Sequence, residues 1–202
     1  ATAGTGDIFF NPTTAGNISV TGGPANGLLN AGNTVSYGGG SVATNVNQIN
    51  GSVVSNGLTV TTASVTTAAG DLNVGPFTSS GTTSFTANGA GADIITAGAI
   101  NSGAGNLTLQ AGSGDADVKL NNNVTTTGSL TVNSGAGAGS DVTLANGVIV
   151  TGGVTNVTTP QLTTGTNANL IASTGDLDVQ SNAGALNVSL GAGSTLVTTN
   201  SD

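Results

Sequence analysis

Apolar residues in this chain alternate with Thr, Ser and Asn in short runs, and one set of runs recurs in register. The segments Ser84-Phe85-Thr86-Ala87, Asn106-Leu107-Thr108-Leu109 and Ser129-Leu130-Thr131-Val132 each pass through a glycine-rich link into Asp93-Ile94, Asp117-Val118 and Asp141-Val142. The three aspartates are 24 residues apart, and seven residues after each stands another aliphatic side chain, Ile100, Val124 and Val148. Alternation with period two marks strands that bury one face. A repeat in the low twenties marks a chain that winds, each turn stacking on the last. The pattern predicts an all-β parallel β-helix, a β-solenoid of about 22–24 residues per coil.

The inward set follows from the alternation: Phe85, Ile94 and Ile100; Leu107, Leu109, Val118, Leu120 and Val124; Leu130, Val132, Val142, Leu144 and Val148. Thr96 stands where Leu120 and Leu144 keep the apolar pattern. Leu58-Thr-Val60, Leu72-Asn-Val74 and Leu186-Asn-Val188 read as strands of the same kind. Dividing the length by the period gives about eight or nine coils, a rod of roughly 40 Å at ~4.8 Å per coil.

The chain reads as one solenoid over 1–202. Residues 57–202 form the repeat region, and 1–56 is a less regular part, with irregular coils favoured over a separate capping or docking segment. In that part Ile8-Phe9-Phe10, Ile18-Ser-Val20, Leu28-Leu29, Val35-Ser-Tyr37 and Val53-Val54 are short strands between Gly and Pro turns, with Pro12 and Pro24 in turns or on edges. After Gly153 the apolar positions persist while insertions obscure the register.

Composition narrows the picture. Of 202 residues 34 are Gly, 5% are charged and 2% aromatic; Lys119 is the sole basic side chain, and Glu, Arg, His, Cys, Met and Trp are absent. Few good helix formers remain, so almost no helix is expected. A net charge of −8 with one lysine excludes nucleic acid and anionic membrane as partners, since both require Lys or Arg at phosphates. No apolar run approaches the ~18 residues of a membrane span, so no membrane insertion is expected. The chain shows no signal peptide. The missing cysteine and the scarcity of Lys and Glu favour an exported protein, secreted or at the cell surface, over a cytosolic enzyme.

Without His and Cys, the Ser-His-Asp, Cys-His and thiolate or histidine metal sites fall away together. Gly-x-Gly runs such as Gly135-Ala-Gly137-Ala-Gly139 are solenoid corners rather than phosphate loops. Carboxylates remain. Asp115-Ala-Asp117 and Asp176-Leu-Asp178 place two carboxyls on one strand face, the arrangement of a carboxylate-based glycan-active β-helix. The aromatic and basic residues of a sugar groove are missing, so the chain reads as no enzyme, with no catalytic or cofactor-binding residues. Gly89-Ala-Gly91-Ala-Asp93, Gly112-Ser-Gly114-Asp115-Ala-Asp117 and Gly137-Ala-Gly139-Ser140-Asp141 weakly resemble a calcium-binding nonapeptide. They make Asp93, Asp117 and Asp141 the candidate calcium ligands, although the apolar residue follows the Asp directly rather than two places on. Stacked in adjacent coils, the three carboxylates would repel, raising their pKa values or recruiting a cation. Six Asn-x-Ser/Thr sequons, at Asn17, Asn50, Asn106, Asn123, Asn156 and Asn187, are what chance gives in a chain this rich in Asn and Thr.

The segments Gly105-Asn-Leu-Thr-Leu-Gln-Ala-Gly112, Gly128-Ser-Leu-Thr-Val132 and Thr174-Gly-Asp-Leu-Asp-Val179 resemble the repeats of filamentous-haemagglutinin-type exoproteins of two-partner secretion, over roughly Gly57 to the C-terminus. The resemblance implies a right-handed parallel β-helix, secretion through a partner outer-membrane pore, and adhesion or surface-fibre duty. The partners it implies are a host or cell-surface glycan or protein. The chain has Asn11-Pro12-Thr13-Thr14 where that family's secretion domain usually carries Asn-Pro-Asn-Gly.

A structural or adhesive solenoid is thus the first expectation. Neither terminus offers a helical or charged cap, so copies of the chain, or adjoining chain, are expected end to end. An ice-binding solenoid is the alternative from another class, suggested by Thr61-Thr62, Thr66-Thr67, Thr125-Thr126 and Thr163-Thr164. The irregular intervals between those pairs argue against the constant outward spacing that ice requires.

Overall fold

A computed structural model of the chain describes residues 1, 8–10, 18–22, 27–38, 40–55 and 57–199. Pro12, Pro24, the Asn11-Pro12-Thr13-Thr14 segment and the Asn17 sequon lie outside them. The described residues form parallel strands and turns without helix, wound into a β-solenoid of about eight turns of roughly 22 residues. No helix among them is long and apolar enough to cross a membrane.

Each regular turn contributes one strand to each of three faces. Thr62–Thr67, Thr83–Ala87, Leu107–Gln110, Leu130–Asn133, Thr155–Thr158 and Leu177–Gln180 stack on the first face. Leu72–Val74, Ile94–Thr96, Val118–Leu120, Asp141–Leu144, Gln161–Thr164 and Asn187–Ser189 stack on the second. The third is a seven-stranded sheet from Thr59–Val60 to Thr195–Thr198. Towards the N-terminus the long strand Ser41–Val54 runs unbroken through the first two faces, pairing with Thr62–Thr67 by one half and with Leu72–Val74 by the other.

Alternation places the core. All thirteen side chains of the inward set are buried, from Phe85 at 0% to Val148 at 4% exposure. Each removes an aliphatic or aromatic group from water, about 1.5–3 kcal/mol apiece. The aromatic side chains of the core lie towards the N-terminal half, where Phe77 and Phe85 meet edge to face at 5.1 Å and Phe10 stacks on Tyr37 at 5.5 Å. Burial pushes the Tyr37 phenol up to about 12, even though its hydroxyl lies 2.8 Å from that of Thr44.

The register differs from the sequence reading at two points. Phe85 pairs with Leu109, not Leu107, and Thr83 takes the inward place opposite Leu107. Val124 pairs with Val150, not Val148; Val148 is buried at the corner that follows the Asn146-Gly147 turn, where Gly147 has φ 72°. Both shifts are of two residues, which keeps every side chain on its own face. Beyond Gly153 the register is continuous: Val132 pairs with Val157, Val142 with Leu162 and Val150 with Leu170.

Two further expectations are corrected. Leu58, read as facing inward with Val60, is 45% exposed, because it leaves the corner at Gly57 (φ 75°) before its strand begins. Val188 is 46% exposed in the last described turn, although its register partner Leu162 is buried.

Corners are built from glycine outside and hydroxyls inside. A Cβ on Gly105 would lie 2.0 Å from the Gly81 carbonyl carbon, so the close approach of successive turns requires glycine there. The carbonyls freed at this corner are taken by buried hydroxyls: Ser102 donates to Gly81 O at 3.1 Å, and Thr126 donates to Gly105 O. Between the first and second faces, the corner loops vary most. The turn through Thr159-Pro160 has almost none, and Asn182 reaches across it to donate to Ser134 O and Gly135 O, each at 3.2 Å.

Candidate functional site

Where the chain turns from a corner loop into the second face, the backbone N–H of the first residue has no carbonyl opposite it in the preceding turn. An unpaired buried amide is costly, so a side chain must supply the acceptor. Aspartate does this in three successive turns. Asp93 N donates to Asp71 Oδ1 at 2.9 Å, Asp117 N to Asp93 Oδ1 at 2.8 Å, and Asp141 N to Asp117 Oδ1 at 2.9 Å. Asp93, Asp117 and Asp141 thus stack in adjacent coils, as their 24-residue spacing predicts, and Asp71 joins them. Asp141 is in register with Gln161, and Gln161 with Asn187, so uncharged amides continue the column.

The single lysine neutralises the middle of this ladder. Lys119 lies two residues beyond Asp117, and so on the same side of the strand. Its Nζ contacts Asp93 Oδ2 and lies 3.3 Å from Asp117 Oδ2. The hydrogen bond to Asp93, with the nearby negative charge, raises the lysine pKa against its partial burial. Asp141 lies one turn beyond the lysine. Desolvation and then the charge of Asp117 raise its pKa, opposed by its hydrogen bond with Gln161 and by Lys119. Burial is thus the first cause of the raised Asp141 carboxyl and repulsion along the ladder the second, while the cation between Asp93 and Asp117 is supplied by the chain itself.

Of the other candidate carboxylates, the Asp115 and Asp117 pair is not arranged as the sequence reading has it. Asp115 sits in the bend of the glycine-rich corner loop whose last residue is Asp117, and its Oδ1 accepts from Gly139 N at 3.0 Å. Gly137 is required beside it, since a Cβ there would come within 2.0 Å of that same oxygen. Asp176 precedes its strand while Asp178 lies on it, both exposed. Asp176 and Asp178, two residues apart with half-buried Leu177 between them, lie on one outward side, whereas Asp115 and Asp117 do not share a strand. Among the described residues no group of three or more His, Cys, Asp or Glu side chains is placed to hold a metal ion. Asp93, Asp117 and Asp141, the calcium candidates, are joined instead by backbone amides and Lys119.

The same capping recurs at other corners, which the sequence reading missed. Asn106 Oδ1 accepts from Ser129 N at 3.0 Å, Asn123 Oδ1 from Ile149 N at 2.9 Å and Asn146 Oδ1 from Thr166 N at 2.9 Å. Thr96, the break in the apolar pattern, is buried, and its Oγ1 accepts from Asn121 N at 2.8 Å. The available signal was an Asn, Asp or Thr at one strand end in successive repeats. Asn106 and Asn123, two of the sequon residues, therefore have a structural use for their carboxamides.

Two concavities of the surface lie away from the ladder. One is lined by Asn88, Gln110, Ser113 and Asn182 beside the corner loops, the other by Ile18, Val42, Ala63 and Ser84 on the first face; no aspartate lines either. No protein-family model matches the chain, no curated protein matches it, and no solved structure matches it.

Proposed function

We propose that this chain is an extracellular structural or adhesive β-solenoid, a link in a surface fibre or large adhesin of the filamentous-haemagglutinin type, and that it carries no catalytic site. The observation that carries this reading is the state of the last described turn. Leu177 and Val179 stand in register with the buried Thr155 and Val157, and Leu196 with Leu170, yet they are only half-buried. Val188 and Leu190 are 46% and 47% exposed. That turn has the apolar pattern of the turns before it, so it fits a further parallel turn of the same repeat, from adjoining chain or from a second copy. Contact between identical copies in this sense is head to tail and does not close, so it makes a filament.

The acidic side chains support a non-catalytic role. Asp71, Asp93, Asp115 and Asp117 each commit an oxygen to a backbone amide. Reaction chemistry would need a carboxylate free to meet a substrate in a cleft. The binding partner of an adhesive role would be a cell-surface glycan or protein.

Size-exclusion chromatography with light scattering on the chain, followed by electron microscopy, tests the structural reading. Concentration-dependent elongation into rods is expected. A monomer at high concentration, with the amides of Asn187–Ser189 and Thr195–Thr198 protected from hydrogen exchange, would sink it.

A further inference from the structure

The threonine intervals that look irregular in the sequence become regular in space, because the corners absorb the differences in turn length. On the third face Thr59, Thr78, Asn101, Thr125 and Thr151 form one column, although successive members are 19, 23, 24 and 26 residues apart. Thr61 and Thr127, two residues beyond Thr59 and Thr125, are exposed with them. Towards the C-terminus Ile171 and Val197 continue the column, with Ile149 exposed beside it. No strand of this face contains a charged residue. The described charged side chains are on the other two faces or in corners: the aspartate ladder and Lys119 on the second, Asp178 on the first.

We propose that this third face binds ice. A parallel sheet repeats its outward side chains at ~4.8 Å from strand to strand, and the column holds one such side chain per strand from Thr59–Val60 to Val124–Thr125. That repeat lies near an oxygen repeat of hexagonal ice. Threonine suits such a row, since its hydroxyl donates and accepts while its methyl displaces disordered water, and its β-branched side chain is stiff at χ1. A surface already ordered before binding loses little conformational freedom on meeting a rigid lattice. Absence of charge matches the uncharged lattice, whereas an ionised group would hold an oriented hydration shell of its own. The first face suits this less well: its strands carry flexible amides at Gln110, Asn133 and Gln180, and a carboxylate at Asp178. Each of the Thr66-Thr67, Thr125-Thr126 and Thr163-Thr164 pairs has its second member buried, so it is the column and not the pairs that makes the surface. A lateral face is used, so the inference stands or falls independently of what covers the last turn.

The test is thermal hysteresis and ice-crystal shaping by the whole 202-residue chain at micromolar concentration, with far-UV circular dichroism to verify folding. The wild-type chain is expected to depress freezing below melting and to facet the crystals. Thr125→Lys with Thr151→Lys should abolish both effects, and Thr108→Lys with Thr131→Lys on the first face should leave them unchanged. Absence of hysteresis and shaping from the folded wild type would overturn the proposal, as would equal loss from the first-face pair.

Discussion

Asp117 Oδ1 accepts the backbone N–H of Asp141, one turn further along the solenoid, at 2.9 Å. This bond makes the aspartate ladder a device for closing corners, in which the oxygen matters and the charge is secondary. Asp117→Ala leaves the Asp141 amide without its acceptor and should cost about 1–2 kcal/mol. Asp117→Asn keeps an acceptor in place and should cost less than the alanine variant. Denaturant midpoints of the two variants check this ordering, and equal losses would show that the charge is what counts.

The raised pKa of Asp141 sets a pH dependence. Its folded carboxyl holds the proton more tightly than the unfolded one, so between the two pKa values the folded state binds more protons and stability falls as pH rises. The contribution is fully present below the unfolded value of about 3.9 and is lost as pH rises through the folded value. Asp141→Asn should therefore gain stability relative to wild type at about pH 7, with the difference smaller at about pH 3. Tyr37 has the same sign at the other end of the scale: its contribution is present below its ordinary value near 10 and is lost as pH rises through about 12.

Lys119 joins two carboxylates with its side chain 39% exposed, so its contribution is discounted for solvent screening. Lys119→Met should cost about 1 kcal/mol at low ionic strength, and less at about 1 M salt where the ion pairs are screened. Urea titrations of the variant at the two salt concentrations measure the difference. An equal loss at both would mean that packing of the lysine stem, rather than the ion pairs, is what the variant removes.

Most of the fold was legible because period-two alternation and a period in the low twenties are separate signals that agree. Burial of Leu107, Leu109, Val118 and Leu120 followed directly from them. The pairing of Phe85 with Leu109 did not, since a shift of two residues leaves the same side chains inward and the alternation cannot tell the two registers apart. Corner lengths decide that register, and they vary from the seven-residue loop of 134–140 to the two residues Thr159-Pro160. The ladder was half legible: equal spacing placed Asp93, Asp117 and Asp141 together, while their bonds to backbone amides depend on how each strand enters its face. Capping by Asn106, Asn123 and Asn146 was hidden by the abundance of Asn elsewhere. The Thr column of the third face was hidden by the unequal corners that the structure sets aside.

The absence of native cysteine allows the register itself to be measured. Thr108 and Thr131 are partners in adjacent turns, and Thr131 pairs in turn with Asn156. Neighbouring strands lie ~4.8 Å apart, inside the Cα separation of roughly 4.4–6.8 Å that a disulfide spans, and two turns lie outside it. Oxidation of the Thr108→Cys, Thr131→Cys double variant, read by non-reducing electrophoresis and peptide mass mapping, is the most direct test of the stacked-coil account. The account predicts an intramolecular cross-link for this pair and none for Thr108→Cys with Asn156→Cys. Cross-linking of the 108–156 pair, or failure of the 108–131 pair in folded protein, would contradict it.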